Sequence, residues 1–188
     1  MDKEGRARFT VGVESDGAFR MNLYDESGTP RIAATTSAKG DSGLVFKDTS
    51  GTRRITVATG QSGLSAVALL DKDETLRISA ATLPSGMAGV HWMDKGGKQR
   101  MGAATDPDGW AGVRFSDLDE KLRILASTDS DYISSVQIFD SGENIRINAG
   151  TGRDGAAAIL MMDKNLKVQI AEVVSQDGTV IYPTSTGK

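Results

Sequence analysis

Apolar and polar residues alternate along this chain in short bursts, and the bursts return with a fixed period of 23 residues. An aspartate marks each return, at Asp2, Asp25, Asp48, Asp71, Asp94, Asp117, Asp140 and Asp163, with no insertion or deletion between them. With each Asp counted as position 0, positions 7, 9 and 11 carry Ile, Val or Ala, and Thr, as in Ile78, Ala80 and Thr82. Positions 17, 19 and 21 carry a small residue, Val and a large apolar residue, as in Ala111, Val113 and Phe115. Side chains in a strand change face at every step, so this period of two predicts two strands per repeat, over positions 4 to 12 and 16 to 22.

Two kinds of punctuation separate the strands. Within a repeat lies a tripeptide ending in Gly, such as Ser15 to Gly17 or Pro107 to Gly109. It predicts a three-residue hairpin loop, a type I turn followed by Gly in the left-handed region. Between repeats lies Asp-x-x-Gly, as in Asp25 to Gly28. This reads as a four-residue loop in which the Asp side chain bonds back to the backbone. Its Gly is replaced by Glu74, Glu120, Glu143 and Leu166 in half the repeats. A one-residue slip would turn every side chain to the other face, so an odd repeat demands one odd and one even loop. In that register positions 7, 9 and 11 lie opposite 21, 19 and 17.

The expected fold is all-β, an antiparallel β-meander of eight 23-residue hairpin repeats forming an elongated single array or a β-prism. Each repeat rests on its neighbours. The array occupies residues 1–181, and residues 182–188 form a C-terminal tail. The face opposite the Ile/Val/Thr columns carries Arg at position 6, small residues at 8, 10 and 18, and variable residues at 16, 20 and 22. Both faces are apolar enough to need cover on at least one side, and no helical run supplies it. Either the sheet folds over on itself or identical chains pack their apolar faces together; a homo-oligomer, a trimer, is the preferred expectation. In the last repeat Gln169 replaces Arg, Glu172 enters the apolar column and Pro183 follows, which reads as capping and edge protection. The first repeat lacks a preceding strand, which reads as a piece of a longer protein or an artificial start at Met1.

Composition changes this picture little. The formal net charge is -3, from 22 basic and 25 acidic residues interspersed along the chain, so no nucleic-acid footprint or anionic-membrane patch stands out. There is no cysteine, hence no disulfide framework and no thiolate site. The N-terminal MDKEGRARF has no apolar signal-peptide core, and no stretch approaches the length of a transmembrane helix. Cell surface, virion and cytoplasm all remain open.

Repeats of the form VDxxGxxRxxLGxxxDGxxxLxLxD, at the spacing seen in Phe19 to Ile32, resemble a group of poorly characterised bacterial DxxGxxR hairpin-repeat proteins. The resemblance spans Asp2 to Ile181. The Asp-x-x-Gly turn is also distantly similar to that of YD-repeat shells, although the Tyr appears only at Tyr24 and the spacing differs. The resemblance implies a repetitive β scaffold of bacterial or phage type, and it brings no catalytic residues.

The recurring columns suggest several kinds of chemistry. A Ca²⁺ loop needs several oxygens converging from one loop, whereas these turns mostly offer one Asp, which fits a turn cap better. The Arg column, from Arg8 to Arg146, could meet an acidic glycan, but the negative net charge favours cross-strand packing of the Arg stems. Six Thr in register invite an ice-binding reading, which fails because they share a face with Ile and Val. His91 is the one histidine. On the Arg-bearing face it falls near Trp110, Arg114 and Arg100, a speculative ligand-contact patch that is more often plain packing. Tyr132 replaces the hairpin Gly in the sixth repeat, after Asp129, Ser130 and Asp131, and marks a loop for partner contact. No carboxylate pair is selected by spacing, and the Gly-rich turns open no helix, so they are not phosphate loops. No metal, cofactor or catalytic residue is expected.

The sequence thus favours a non-enzymatic structural repeat scaffold, part of a fibre, shaft, surface layer or appendage, assembling through an apolar sheet face. The alternative is a glycan- or protein-binding module that uses the Arg/Trp/His face. No nucleic-acid partner and no membrane insertion are expected.

Overall fold

The computed structural model describes residues 1–131 and 133–181. The chain divides into two compact units, Met1–Gly97 and Lys98–Lys188, and each is an antiparallel meander. The first holds β1 (Phe9–Val13), β2 (Phe19–Tyr24), β3 (Pro30–Thr36), β4 (Ser42–Lys47), β5 (Arg53–Thr59), β6 (Ser65–Leu70), β7 (Leu76–Thr82) and β8 (Ala88–Met93). The second holds β9 (Gln99–Thr105), β10 (Ala111–Ser116), β11 (Leu122–Thr128), β12 (Ser134–Phe139), β13 (Ile145–Thr151), β14 (Ala157–Met162), β15 (Val168–Val174) and β16 (Val180–Ile181). In each unit every strand pairs with the next in sequence. The all-β hairpin meander read from the alternation is therefore the fold, with strands a residue or so shorter at most ends.

The face register follows the expected pairing. Ile32 stands opposite Phe46, Ala34 opposite Leu44 and Thr36 opposite Ser42. These β-branched and aromatic pairs are the contacts that stabilise a half-covered sheet. Glu172 stands opposite Ile159 on the same face, so the last repeat does place a charge in the apolar column. Pro183 lies outside the described residues.

The turn between repeats differs from expectation. It is not a four-residue loop. In Asp25–Thr29 the Asp25 N–H donates to the Thr29 carbonyl and the Gly28 N–H donates to the Asp25 carbonyl. The inner turn at Glu14–Ala18 shows the same two bonds, from Glu14 to Ala18 and from Gly17 to Glu14. Both turns thus enclose three residues, the third with positive φ, as at Gly28 (81°) and Gly17 (82°). Two odd loops would flip the faces, and a β-bulge prevents it. Between β2 and β3, Leu23 pairs with Ile32 but Tyr24 pairs with Pro30, so Arg31 is the extra residue. Arg54, Arg77, Arg123, Arg146 and Gln169 are the extra residues at the corresponding places. Parity was the right constraint; a bulge at position 6 satisfies it rather than loop length.

No hydrophobic side chain is buried among the described residues. Large apolar side chains on the Ile/Val/Phe face stand open, including Val67 (40%), Phe115 (40%) and Val136 (46%).

Candidate functional site

The most regular construction in the molecule is a clasp at the turn between repeats. The Asp at position 0 uses one carboxylate oxygen to hold the turn backbone. Asp25 Oδ1 accepts the N–H groups of Ser27 (2.9 Å) and Thr29 (3.0 Å). Asp48, Asp71, Asp117, Asp140 and Asp163 repeat both bonds. The other oxygen faces the bulged Arg of the same repeat. Arg31 Nη1 lies 3.3 Å from Asp25 Oδ2, Arg54 3.5 Å from Asp48 and Arg77 3.4 Å from Asp71. Arg123 pairs with Asp117 in the same way, and in the last repeat Gln169 Nε2 donates to Asp163 Oδ2 at 2.9 Å.

The bulge explains why Arg stands there. The extra residue is free of ladder pairing, and its side chain reaches both the turn Asp and a neighbouring strand end. Its Nε then reaches the carbonyl that ends the neighbouring strand, as from Arg31 to Lys47 (2.9 Å), Arg77 to Met93 (3.1 Å) and Arg146 to Met162 (2.7 Å). Each guanidinium thereby ties one turn to the strand leading into the next. A planar fork with several donors suits this double task better than a lysine.

The carboxylates respond accordingly. The Ser27 hydroxyl holds Asp25 down at about 2; partial burial opposes this, and the Thr29 N–H and Arg31 add to it. The Ser50 hydroxyl, first among several causes, lowers the Asp48 carboxyl. At Asp117 partial burial pushes the carboxyl up, but Arg123 and the N–H groups of Asp119 and Lys121 outweigh it, and the net direction is down. A carboxylate with one oxygen held by two backbone donors and the other facing a cation is poorly placed to hold a metal. Among the described residues there is no group of three or more His, Cys, Asp or Glu that could hold one.

A second set of links explains the glutamates that replace Gly in this turn. Glu74, Glu120 and Glu143 adopt positive φ of 58°, 64° and 61°, a conformation that disfavours side chains. Each uses Oε1 to accept the N–H of the residue at position 5 of the preceding repeat, from Arg53 (2.9 Å), Gln99 (3.2 Å) and Leu122 (3.0 Å). Glu74 also pairs with the Arg53 guanidinium, which, ahead of its backbone bond, lowers its carboxyl. Lys98 and Lys121 add bonds to the carbonyls of Leu118 and Ser141 in the following turn. The sequence offered the substitution but no sign of its reach, since donor and acceptor lie 21 residues apart.

The residues singled out for ligand contact are distributed as follows. His91 lies in β8 of the first unit, half-buried opposite Ser79, with Nδ1 buried and without a hydrogen-bond partner. Arg100, Trp110 and Arg114 belong to the second unit. Arg100 is half-buried, and its Nη1 is also buried without a partner. Trp110 lies over Gly112, where an added Cβ would sit 2.5 Å from the indole ring. Arg114 is exposed and donates to the Ser116 hydroxyl at 3.2 Å. Trp110 and Arg114 thus belong to one hairpin strand and its approach. Tyr132 lies outside the described residues; the flanking turn is capped by Asp129, which accepts from Asp131 and Ile133. On the same face in the first unit, Arg20, Thr35, Asp41, Ala58 and Leu64 help to line an open hollow of about 430 Å³.

No family model matches this sequence, and no curated protein matches it. Among solved structures it is similar to a porin-like protein from Bacteroides uniformis ATCC 8492. The identity is 12%, over 92% of this chain and 90% of that one, with a TM-score of 0.24, too low to equate the two folds.

Proposed function

We propose that this protein is a non-enzymatic structural repeat scaffold, of the kind that builds a fibre, shaft, surface layer or appendage. The observation that carries this reading is the clasp. The acidic and basic residues that recur in every repeat are spent on holding turns and strand ends to one another. The Arg column, the feature with most appeal for an acidic ligand, has most of its guanidinium groups tied to Asp carboxylates or strand-end carbonyls. What the first seven repeats leave unengaged is an uncharged apolar sheet face, which suits assembly. In a scaffold of equivalent hairpins each repeat depends on its neighbours only, so whole repeats are dispensable.

Deletion of residues 71–93, one complete repeat, tests this. The shortened chain is expected to stay soluble, to keep its far-UV β signature and to melt cooperatively. An aggregated or unfolded product would overturn the reading.

A further inference from the structure

We infer that the open hollow in the first unit is a binding site for a sugar acid, one uronate ring of an acidic glycan seated on Gly43. The inference goes beyond the scaffold reading and does not depend on it.

A glycine that the backbone does not require carries the argument. Gly43 lies inside β4, paired with Thr35 on one side and Ala58 on the other, with no bulge at that point. Its φ is not left-handed. A Cβ added to it would meet its nearest neighbours, the Val57 carbonyl and the Thr35 hydroxyl, only at 3.5 and 3.7 Å. Neither conformation nor packing within the unit therefore demands glycine there. Glycine weakens a strand interior, and where it makes no bulge or bend it marks the close approach of another group. Gly112, at the same position 18 of the fifth repeat, has such a group. There the Trp110 ring takes the space, 2.5 Å from an added Cβ. Position 16 is Trp110 in that repeat and Asp41 in the second. With the shorter side chain no ring of the repeat's own lies on Gly43. The result is the hollow of about 430 Å³, a size usual for small-molecule sites.

The lining then selects the ring. Gly43 and Ala58 adjoin on one row, and with Leu64 they offer apolar surface to the C–H face of a ring. Arg20 stands in the same row, opposite Thr35, and is outside the clasped Arg column. Its Nε lies 3.9 Å from Glu14 Oε1, beyond hydrogen-bonding distance, and both side chains are half exposed. Such a pair holds the guanidinium weakly, which leaves its fork for a ligand carboxylate. Asp41 accepts one bond on each oxygen, from the Gln61 N–H (3.0 Å) and the Ser37 hydroxyl (3.2 Å). Each oxygen keeps acceptor capacity for a ligand hydroxyl. A cation, a carboxylate and the Thr35 hydroxyl around apolar surface match a uronate, which brings one carboxylate, several hydroxyls and a C–H face. An aromatic acid lacks the hydroxyls that Asp41 accepts, and a neutral sugar leaves Arg20 unpaired.

Isothermal titration calorimetry of the full chain with tri-galacturonate at neutral pH provides the test. The expected result is saturable binding with a Kd of about 1 mM or tighter, the strength one well-seated ring supplies. Galactotriose, without the carboxylates, should bind at least ~10-fold more weakly. Gly43→Val fills the hollow and should weaken tri-galacturonate binding at least ~10-fold. Its Tm should hold or rise, because a β-branched residue suits a strand. Arg20→Gln should bring the acidic and neutral sugars to the same affinity. Absence of tri-galacturonate binding overturns the inference, and so does equal binding of the two sugars by the parent chain. Parent-like binding by either variant overturns it as well. If Gly43→Val fails to fold, Arg20→Gln at its exposed site decides alone. Indole-3-acetate binding more tightly than the sugar acid would assign the hollow to aromatic acids and also overturn the inference. Deletion of residues 71–93 keeps every lining residue, so a deleted chain that unfolds sinks the scaffold reading and leaves this result on the full chain standing.

Discussion

The two ends of a hairpin such as Asp2–Thr29 share one backbone geometry and differ in what holds it. At the inner end, as at Glu14–Ala18, three residues turn the chain and a nearby side chain caps an N–H or two. The capping residue moves: it is Asp106 in one repeat, Ser37 in another and Asp154 in a third. At the other end the cap is always the same Asp, and a bulged Arg or Gln locks it in most repeats. The comparison teaches that turn geometry alone did not select the invariant pattern. The bulge did, because only there must an unpaired residue be fixed so that the apolar face keeps its register.

The largest way to break that asymmetry is acid, which strikes every clasp at once. The clasp carboxylates at Asp25, Asp48, Asp71, Asp117, Asp140 and Asp163 are all lowered in the folded chain. A lowered pKa means the unfolded chain binds protons first, so the stabilisation is complete above the ordinary carboxylate range and disappears as pH falls through the folded values. For Asp25 that window runs from an unperturbed 3.8 to about 2. Calorimetry should therefore find a Tm that is flat from about pH 7 to pH 5 and falls steeply between about pH 4 and pH 2. A Tm independent of pH across that window would refute the clasp as a stabilising device.

A single-site comparison sharpens the contrast. Asp117→Ala removes two backbone caps and strands the Arg123 guanidinium, whereas Asp106→Ala at an inner turn removes only the caps. Thermal melts should show a drop of about 6–8 °C for the first and about 2–4 °C for the second, on the scale usual for chains of this size. Equal drops would mean that Arg123 adds nothing.

The smallest effect concerns the left-handed turn position. Leu166 sits at φ 60° with its side chain more than half exposed and with no capture of the preceding repeat shown. Leu166→Gly should stabilise the chain by about 1 kcal/mol, a rise of ~2–4 °C in Tm. Glu143→Gly relieves the same strain but loses the bond to the Leu122 N–H, so its Tm should stay within about 1 °C of the parent. If both variants gained equally, the glutamate link would be worthless.

Much of this protein was written in its repeat. Alternation fixed the strands, the face of each side chain and the pairing of Ile32 with Phe46, because strand periodicity is local and any slip would expose the wrong face. The positive φ at Gly17 and Gly28 was equally legible, since the turn chemistry lies within five residues. The tertiary structure decided what depends on the reach of side chains between strands. Loop arithmetic offered an even loop, but the backbone instead repeats one turn and absorbs the odd residue in a bulge, a choice that rests on where the Arg31 guanidinium finds Asp25 and the Lys47 carbonyl. It also decided that Glu143 captures a backbone group 21 residues earlier, and that the Trp110 ring takes the space a side chain at position 112 would need. Such contacts have no signature in spacing, because they form only once neighbouring strands have brought distant atoms within hydrogen-bonding or packing distance.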